Sequence, residues 1–206
     1  MPEIKINNEI IEFSFPKINS LKEIIELLLK EKVKPNEVIS QVIIDGKIVD
    51  FENVEVLKKA LDDLSEINFT INNSLSLAFN ALHDCGLYID STIERILEIV
   101  QLYRENEVQK ANNGFPEIID AIDFFVNLIT KIYKTIFNNL DTKAYHHELF
   151  QNLEIHLLTI LKSLLPAKEK GDITMLCDLL EYELADNLKQ WKTDIIPSLE
   201  ILNKKN

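Results

Sequence analysis

The sequence predicts an α+β protein, with a small sheet-forming domain at residues 1–71 and a bundle of four long helices at residues 72–206. Before Ile71, short apolar stretches alternate with polar residues, which is typical of half-buried strands. After Asn72-Asn73-Ser74, apolar residues recur every three or four positions almost to the C-terminus, which indicates amphipathic helices. This change of period places the domain boundary at the polar triplet.

The first part of the small domain is predicted to be a strand pair followed by a helix. Ile4 and Ile6 alternate with polar residues, and Asn7-Asn8 suits a turn. The apolar residues of the returning strand are Ile11, Phe13 and Phe15. Ser20 can cap a helix over residues 21–32. The predicted apolar face of this helix comprises Leu21, Ile24, Ile25, Leu28 and Leu29.

A second strand pair and one further strand complete the small domain. Residues 38–44 are rich in β-branched side chains and lead into Asp45-Gly46, a dipeptide that favours a tight hairpin turn. Residues 47–49 form the returning strand, and a short helix is expected over residues 54–61. The alternating residues of the last strand are Ile67, Phe69 and Ile71.

This order of hairpin, helix, hairpin, short helix and strand resembles the β-grasp (ubiquitin-like) fold, in which a mixed sheet wraps around one helix. The resemblance covers residues 1–71 and implies an N-terminal ubiquitin-like domain. Sulfur-carrier members of that class end in a Gly-Gly tail that is activated chemically. Here Ile71 continues into Asn72-Asn73-Ser74 and a long helical region, so carrier chemistry is not implied.

The first two predicted helices follow the boundary directly. Ser74 is expected to cap the first, and Gly86 is expected on its packed face. The stretch Asn-Asn-Gly-Phe-Pro at residues 112–116 is predicted to interrupt the helices, because Pro116 suits the first turn of a new one.

The last two predicted helices are bounded by capping residues and prolines. Asp141 can cap the third helix, and Pro166 and Gly171 are expected to bound the next connection. Asp172 can cap the last helix, which Pro197 should kink or end. Short connections favour an antiparallel, up-down-up-down arrangement of the four helices.

The last helix has two apolar strips, which indicates that it has more than one neighbour. The main strip comprises Ile173, Leu176, Leu180, Leu184, Leu188, Trp191 and Ile195. The second strip, Met175, Leu179 and Tyr182, is the candidate partner-binding surface, because Met and Tyr suit adaptable or anchored interfaces. The alternative is that a neighbouring helix or the sheet domain covers this strip.

Composition argues against several partners. The net charge is −12, both predicted domains are acidic, and Arg95 and Arg104 are the only arginines. Phosphate-binding surfaces need clustered Lys and Arg, so neither nucleic acid nor an anionic membrane is an expected partner. No apolar run reaches the roughly 18 residues that span a bilayer, and no secretory signal is visible. A cytoplasmic location is the expectation.

Sequence patterns for catalysis or cofactor binding are sparse. The four glycines all suit turns or packing, which leaves none for a phosphate-binding loop. None of the four histidines has Glu three residues before it, the pairing that di-metal bundles use, so no metal and no cofactor is predicted. Cys85 and Cys177 suit buried thiols, expected ~20 Å apart in an up-down-up-down bundle and therefore unable to form a disulfide.

Two further resemblances concern the helical region. The pattern of acidic and apolar residues from Asp172 to Trp191 is similar to the C-terminal stretch of a group of uncharacterised bacterial proteins. Residues 74–203 have an architectural likeness to the flagellar export chaperones, helical bundles that hold a partner segment in a groove.

The sequence therefore predicts a non-enzymatic interaction module, adaptor or chaperone-like, that binds a partner protein or a second copy through Met175, Leu179 and Tyr182. One alternative is a small enzyme with an interdomain cleft that uses Glu181, His146 or Tyr182 as acid or base. Another is an inert structural subunit of an assembly.

Overall fold

The computed structural model describes residues 2–11, 20–58, 60–140 and 147–204, which fall into two compact units, Met1–Leu77 and Ala78–Asn206. The first unit contains a five-stranded mixed sheet, and the second is mostly helical. The predicted α+β class is confirmed at this level.

The sheet is built from β1 (Glu3–Ile6), β2 (Glu9–Ile10), β3 (Glu37–Ile44), β4 (Lys47–Val49) and β5 (Glu66–Asn73), in the spatial order β2-β1-β5-β3-β4. The central pair β1 and β5 is parallel, and the other pairs are antiparallel. A short turn connects the two strands of each antiparallel hairpin, β1 to β2 and β3 to β4. Asn7 and Asn8 have φ values of 51° and 68°, and Asp45 and Gly46 have φ values of 47° and 77°. Both predicted turns are therefore confirmed, as pairs of left-handed residues that suit the twist of a hairpin.

Helix α1 (Leu21–Glu31) supplies one side of the core of the first unit. The hydroxyl of Ser20 accepts a hydrogen bond from the Glu23 amide, so the predicted cap is confirmed. The buried residues of α1 are Leu21, Ile24, Ile25 and Leu28, and they share a core with strand residues that include Val42, Ile67 and Phe69. Leu29, predicted on the same face, is 51% exposed.

Of the remaining predictions for the first unit, one needs correction and one lies outside the described residues. The predicted short helix at 54–61 is divided into α2 (Val54–Leu57) and a 3₁₀ turn at Leu61–Asp63. The predicted strand residues Phe13 and Phe15 lie outside the described residues.

Three long helices, α3 (Ser74–Arg104), α4 (Val108–Leu140) and α5 (His147–Lys170), precede the last helix, residues 173–203. At the start of α3 the cap is Asn73 and not Ser74 as predicted. The Asn73 side chain accepts a hydrogen bond from the Ser76 amide at 2.9 Å, while the Ser74 hydroxyl donates to the Asn36 carbonyl. The predicted Asp141 cap lies outside the described residues.

Contacts between the helices show that sequential helices run in opposite directions. The Tyr88 hydroxyl of α3 donates to the Ala121 carbonyl of α4, and further along α3 Tyr103 donates to Asn112. The same reversal joins α4 to α5, because Phe150 stacks with Tyr133 and Lys168 lies over Phe115. The last helix lies beside both α5 and α3, where ion pairs join Asp90 to Lys192 and Arg104 to Glu181.

The predicted break at residues 112–116 is wrong, because α4 runs through Gly114 and Pro116. The break lies at Asn106, whose φ is 64°; its amide and that of Glu107 donate to the Tyr103 and Leu102 carbonyls, which terminates α3. A Cβ atom on Gly114 would lie 2.5 Å from the Ile99 Cδ1, so this glycine lets α3 and α4 approach closely. The buried residues Ala111, Phe115, Ile118 and Ile122 keep helical spacing across the proline.

Three other predictions about helix breakers also need correction. Pro166 lies inside α5 rather than in a connection, and Gly171, with φ 65°, alone ends that helix. Gly86 is not on a packed face, since nothing lies within 4 Å of a Cβ built there. Pro197, predicted to kink or end the last helix, does not end it, because the helix continues to Asn203; a π-helical turn, Trp191–Ile195, precedes the proline. No helix among the described residues has the length and apolar character needed to cross a bilayer.

Candidate partner-binding surface

The last helix buries its main apolar strip and contains two π-helical turns, Leu179–Leu184 and Trp191–Ile195. Leu176, Leu180, Leu184 and Leu188 are each no more than 1% exposed, although they are spaced four residues apart. A regular α-helix turns once every 3.6 residues, so this spacing would carry successive leucines away from the core. The wider turn at Leu179–Leu184 compensates, as the hydrogen bond from the Ala185 amide to the Leu180 carbonyl shows.

The predicted second strip lies on the outer side of this helix. Met175 is 46% exposed and Tyr182 is 58% exposed, while Leu179 between them is half-buried. The three residues line a shallow depression of about 510 Å³. We call the group of Met175, Leu179 and Tyr182 the Tyr182 surface. The structure thus brings together the three residues predicted for partner binding.

The Tyr182 surface coincides with the first π-helical turn. Leu179 begins this turn and Tyr182 lies within it, whereas Met175 belongs to the α-helical turn before it, which Asp172 caps through the Met175 amide at 3.0 Å. Single π turns are rare and occur frequently at functional sites. The local widening therefore changes the helix surface at the place where apolar side chains are exposed.

Carboxylates line both sides of the apolar centre. Asp172, Asp178 and Glu183 line the same depression, together with Thr174. Glu183 lies 3.4 Å from the Nε2 of His156. Asp178 is exposed, and no ion pair of the described residues includes it. We call these three carboxylates, Asp172, Asp178 and Glu183, the acidic rim of the depression.

The candidate acid or base residues of the enzyme alternative are placed differently. Both oxygens of Glu181 accept hydrogen bonds from the Arg104 guanidinium, and the Nη1 to Oε1 distance is 3.3 Å. These bonds raise the pKa of Arg104 above its usual value. Glu181 is therefore held in an ion pair. Tyr182 is exposed on the surface described above, and His146 lies outside the described residues.

A series of hydrogen bonds leads from the acidic rim into the helical core through Asn187, and we call it the Asn187 chain. Asn187, fully buried, donates through Nδ2 to the Leu153 carbonyl at 3.3 Å and lies 3.1 Å from the Nδ1 of His156. Its Oδ1 accepts from the Trp191 indole at 3.0 Å, which requires this orientation of the amide. His156 Nδ1 therefore accepts, and the ring proton lies on Nε2, next to Glu183.

The sequence interpretation missed a second apolar depression, between α3 and α4. Leu87 is 71% exposed and Phe124 is 55% exposed, and both line a depression of about 500 Å³ with Tyr88. The buried Cys85 is at its edge, and burial raises the pKa of this thiol to about 11. The signal was present in the sequence, since Leu87 and Phe124 fall outside the apolar periodicity of their helices.

The described residues contain no group of three or more His, Cys, Asp and Glu side chains that could hold a metal ion. Cys85 and Cys177 are both buried, free thiols. Cys177 lies on the last helix near Tyr103, whose pKa is raised chiefly by burial.

Residues 80–194 match a family described as a domain of unknown function (DUF8042), a match that covers more than half of the chain. The chain belongs to this family. The DUF8042 region extends from α3 into the last helix, so it includes the Tyr182 surface, the Leu87 and Phe124 depression and the Asn187 chain, and it leaves out the sheet. No match was found among curated proteins or among solved structures.

Proposed function

We propose that this protein is a non-enzymatic interaction module, adaptor or chaperone-like, whose Tyr182 surface binds a partner protein or a second copy. The observation that supports it best is the exposure of Met175 and Tyr182 beside Leu179 on a helix whose opposite side is fully packed. Aromatic and thioether side chains that protrude from a rigid element are the usual anchors of protein interfaces. The π turn at the same place supports the assignment.

The proposal includes a finer description of the fold. The strand order β2-β1-β5-β3-β4, with a parallel central pair and one packed helix, supports a ubiquitin-like fold for the first unit. Antiparallel contacts among α3, α4, α5 and the last helix support an antiparallel four-helix bundle. We also propose a cytoplasmic location, which is the expectation from the sequence.

The test compares two exposed aromatic residues. Tyr182→Ala and Phe124→Ala each remove a ring that is more than half exposed, so neither should change the free energy of unfolding by more than about 0.5 kcal/mol. Each tagged protein is used to capture proteins from extracts of its source cell, and captured proteins are quantified by mass spectrometry. The mass of the wild-type protein in solution is measured by light scattering.

We expect a captured protein, or the self-associated form, to fall about tenfold or more with Tyr182→Ala and to be retained with Phe124→Ala. The proposal is overturned if nothing captured depends on Tyr182 and the wild-type protein is monomeric. Loss with Phe124→Ala alone would instead move the interaction to the Leu87 and Phe124 depression.

A further inference from the structure

The residues that line the Tyr182 surface are mostly acidic where they are charged, although Arg104, paired with Glu181, also interacts with the Tyr182 side chain. The described lining residues of the depression include the carboxylates Asp172, Asp178 and Glu183, and no Lys or Arg. Asp172 caps the helix through the Met175 amide, and Glu183 lies 3.4 Å from the Nε2 of His156. A partner that covers the apolar centre must therefore place its own edge against several negative charges.

This arrangement disfavours a second copy as the occupant. The chain carries a net charge of −12, so two copies repel one another at long range. In a two-fold symmetric contact the same patch meets itself, which would place Asp178 and Glu183 near the same carboxylates of the other copy. Like charges that face one another across an interface oppose association.

The spacing of the apolar residues indicates the shape of the occupant. Met175 and Tyr182 are seven positions apart on one helix, with Leu179 between them, which corresponds to about 10 Å along its axis. A partner helix that presents apolar side chains every three or four residues matches this length with two turns. Lysine side chains beside those apolar residues can cover apolar surface with their methylene groups and extend their ammonium groups to the carboxylates.

We propose that the Tyr182 surface binds a basic amphipathic helix of another protein, with Asp178 as a charged contact at its rim. This proposal rests on the proposed function, since it names the kind of partner that the same surface takes. Asp178 is the best placed of the three carboxylates, because it is exposed, forms no ion pair with a described residue and does not cap the helix.

The test uses the full chain and two synthetic helix-forming peptides labelled for fluorescence anisotropy. Both peptides have leucines every three or four residues; the other positions are lysine in one peptide and glutamate in the second. The variants are Tyr182→Ala, Asp178→Lys and Asp194→Lys. Asp194 is a matched control, because it is exposed on the same helix, outside the depression, and its substitution changes the net charge equally.

We expect the lysine peptide to bind more tightly than the glutamate peptide. Tyr182→Ala and Asp178→Lys should each weaken its binding about tenfold, while Asp194→Lys should change it less than about twofold. Affinity should fall as NaCl rises from about 0.05 M to about 0.5 M, and it should fall less steeply for Asp178→Lys.

The outcomes separate this proposal from the more general one. If both peptides bind equally and both depend on Tyr182, the surface is an apolar binding site and the basic partner is wrong. Equal effects of Asp178→Lys and Asp194→Lys would also reject the basic partner, because net charge alone would explain them. Binding that is insensitive to Tyr182→Ala places the peptide elsewhere, and a wild-type dimer whose formation requires Tyr182 assigns the surface to a second copy.

Discussion

At the scale of single residues, Asn187 joins the acidic rim to the core of the helical unit. Its amide satisfies the Trp191 indole and the Leu153 carbonyl, and it also bonds to the His156 ring. Trp191 in turn packs edge-on against Phe125 and Phe150, with ring centroids 5.6 Å and 4.9 Å away. One polar side chain thus orients the largest buried ring, and the loss of its amide would leave a buried indole N–H without an acceptor.

We predict that Asn187→Leu destabilises the helical unit by about 2–3 kcal/mol, since the side chain keeps its branched shape and number of heavy atoms but the buried indole N–H loses its partner. Asn127→Leu is the matched control, because Asn127 is also in mid-helix but exposed, and it should change stability by less than about 0.5 kcal/mol. Urea unfolding followed by far-UV circular dichroism measures both.

Trp191→Phe tests whether the indole is the reason for this loss. Trp191→Phe should lower the free energy of unfolding by about 1 kcal/mol less in the Asn187→Leu background than in the wild type. Additive effects of the two substitutions would show that the Asn187 to Trp191 hydrogen bond does not stabilise the protein.

At the scale of elements, we expect the π turn at Leu179–Leu184 to be needed for binding but not for folding. A π turn holds one more residue than the α-helix needs, and Glu183 is an exposed residue within it. Deletion of Glu183 would leave Leu180 and the following leucine three positions apart, a spacing that a regular helix places on one face. The deletion should therefore keep the core and remove the widened surface.

We predict that the Glu183 deletion retains helical circular dichroism and loses about 2 kcal/mol of stability or less, but weakens binding at the Tyr182 surface about tenfold. Deletion of Glu94, exposed within the regular helix α3, is the control. It rotates all later residues of α3 by about 100° and should prevent folding of the helical unit. Unchanged binding by the Glu183 deletion would show that the π turn does not shape the surface.

The helices and turns also show which structural features could be predicted from the sequence. The apolar periodicity identified the buried leucines of the last helix and a separate strip of Met175, Leu179 and Tyr182, and turn chemistry identified Asn7-Asn8 and Asp45-Gly46, because these signals are local. The exposure of Met175 and Tyr182 could not be read from the sequence, which left open that a neighbouring element covers them. The break between α3 and α4 was misplaced because Gly114 and Pro116 resemble breakers locally, whereas packing against Ile99 gives the glycine its role. Asn106, whose left-handed backbone ends α3, carried the usable signal.

The sequence identified the residues of the candidate surface, but it did not predict the geometry of the helix on which they lie. Met175, Leu179 and Tyr182 follow from helical period, but the π turn follows only from the packing of leucines four residues apart. The Asn187 chain depends on contacts between α5 and the last helix, residues more than thirty positions apart in sequence, and no local pattern reports such contacts.

At the scale of the whole molecule, buried and half-buried thiols and phenols with raised pKa values contribute to the loss of stability at alkaline pH. Burial raises the pKa of two thiols and three phenols: Cys85, Cys177, Tyr88, Tyr103 and Tyr133. For Cys85 the ordinary value is 9.0 and the folded value is about 11. Between these values the unfolded chain binds fewer protons than the folded one, so stability falls as pH rises. Lys168, whose pKa burial lowers, acts in the opposite sense.

We predict that the urea midpoint is nearly constant between about pH 7 and about pH 8 and then falls between about pH 9 and about pH 10.5. Cys85→Ala should lower the midpoint at neutral pH, because it leaves space in a packed region, but it should make the alkaline fall less steep. This change of slope distinguishes a titrating thiol from a structural effect, which would shift the whole curve in parallel. If the urea midpoint instead increased with pH above about pH 9, the contribution of Lys168 would outweigh that of the five thiols and phenols, and the predicted direction would be wrong.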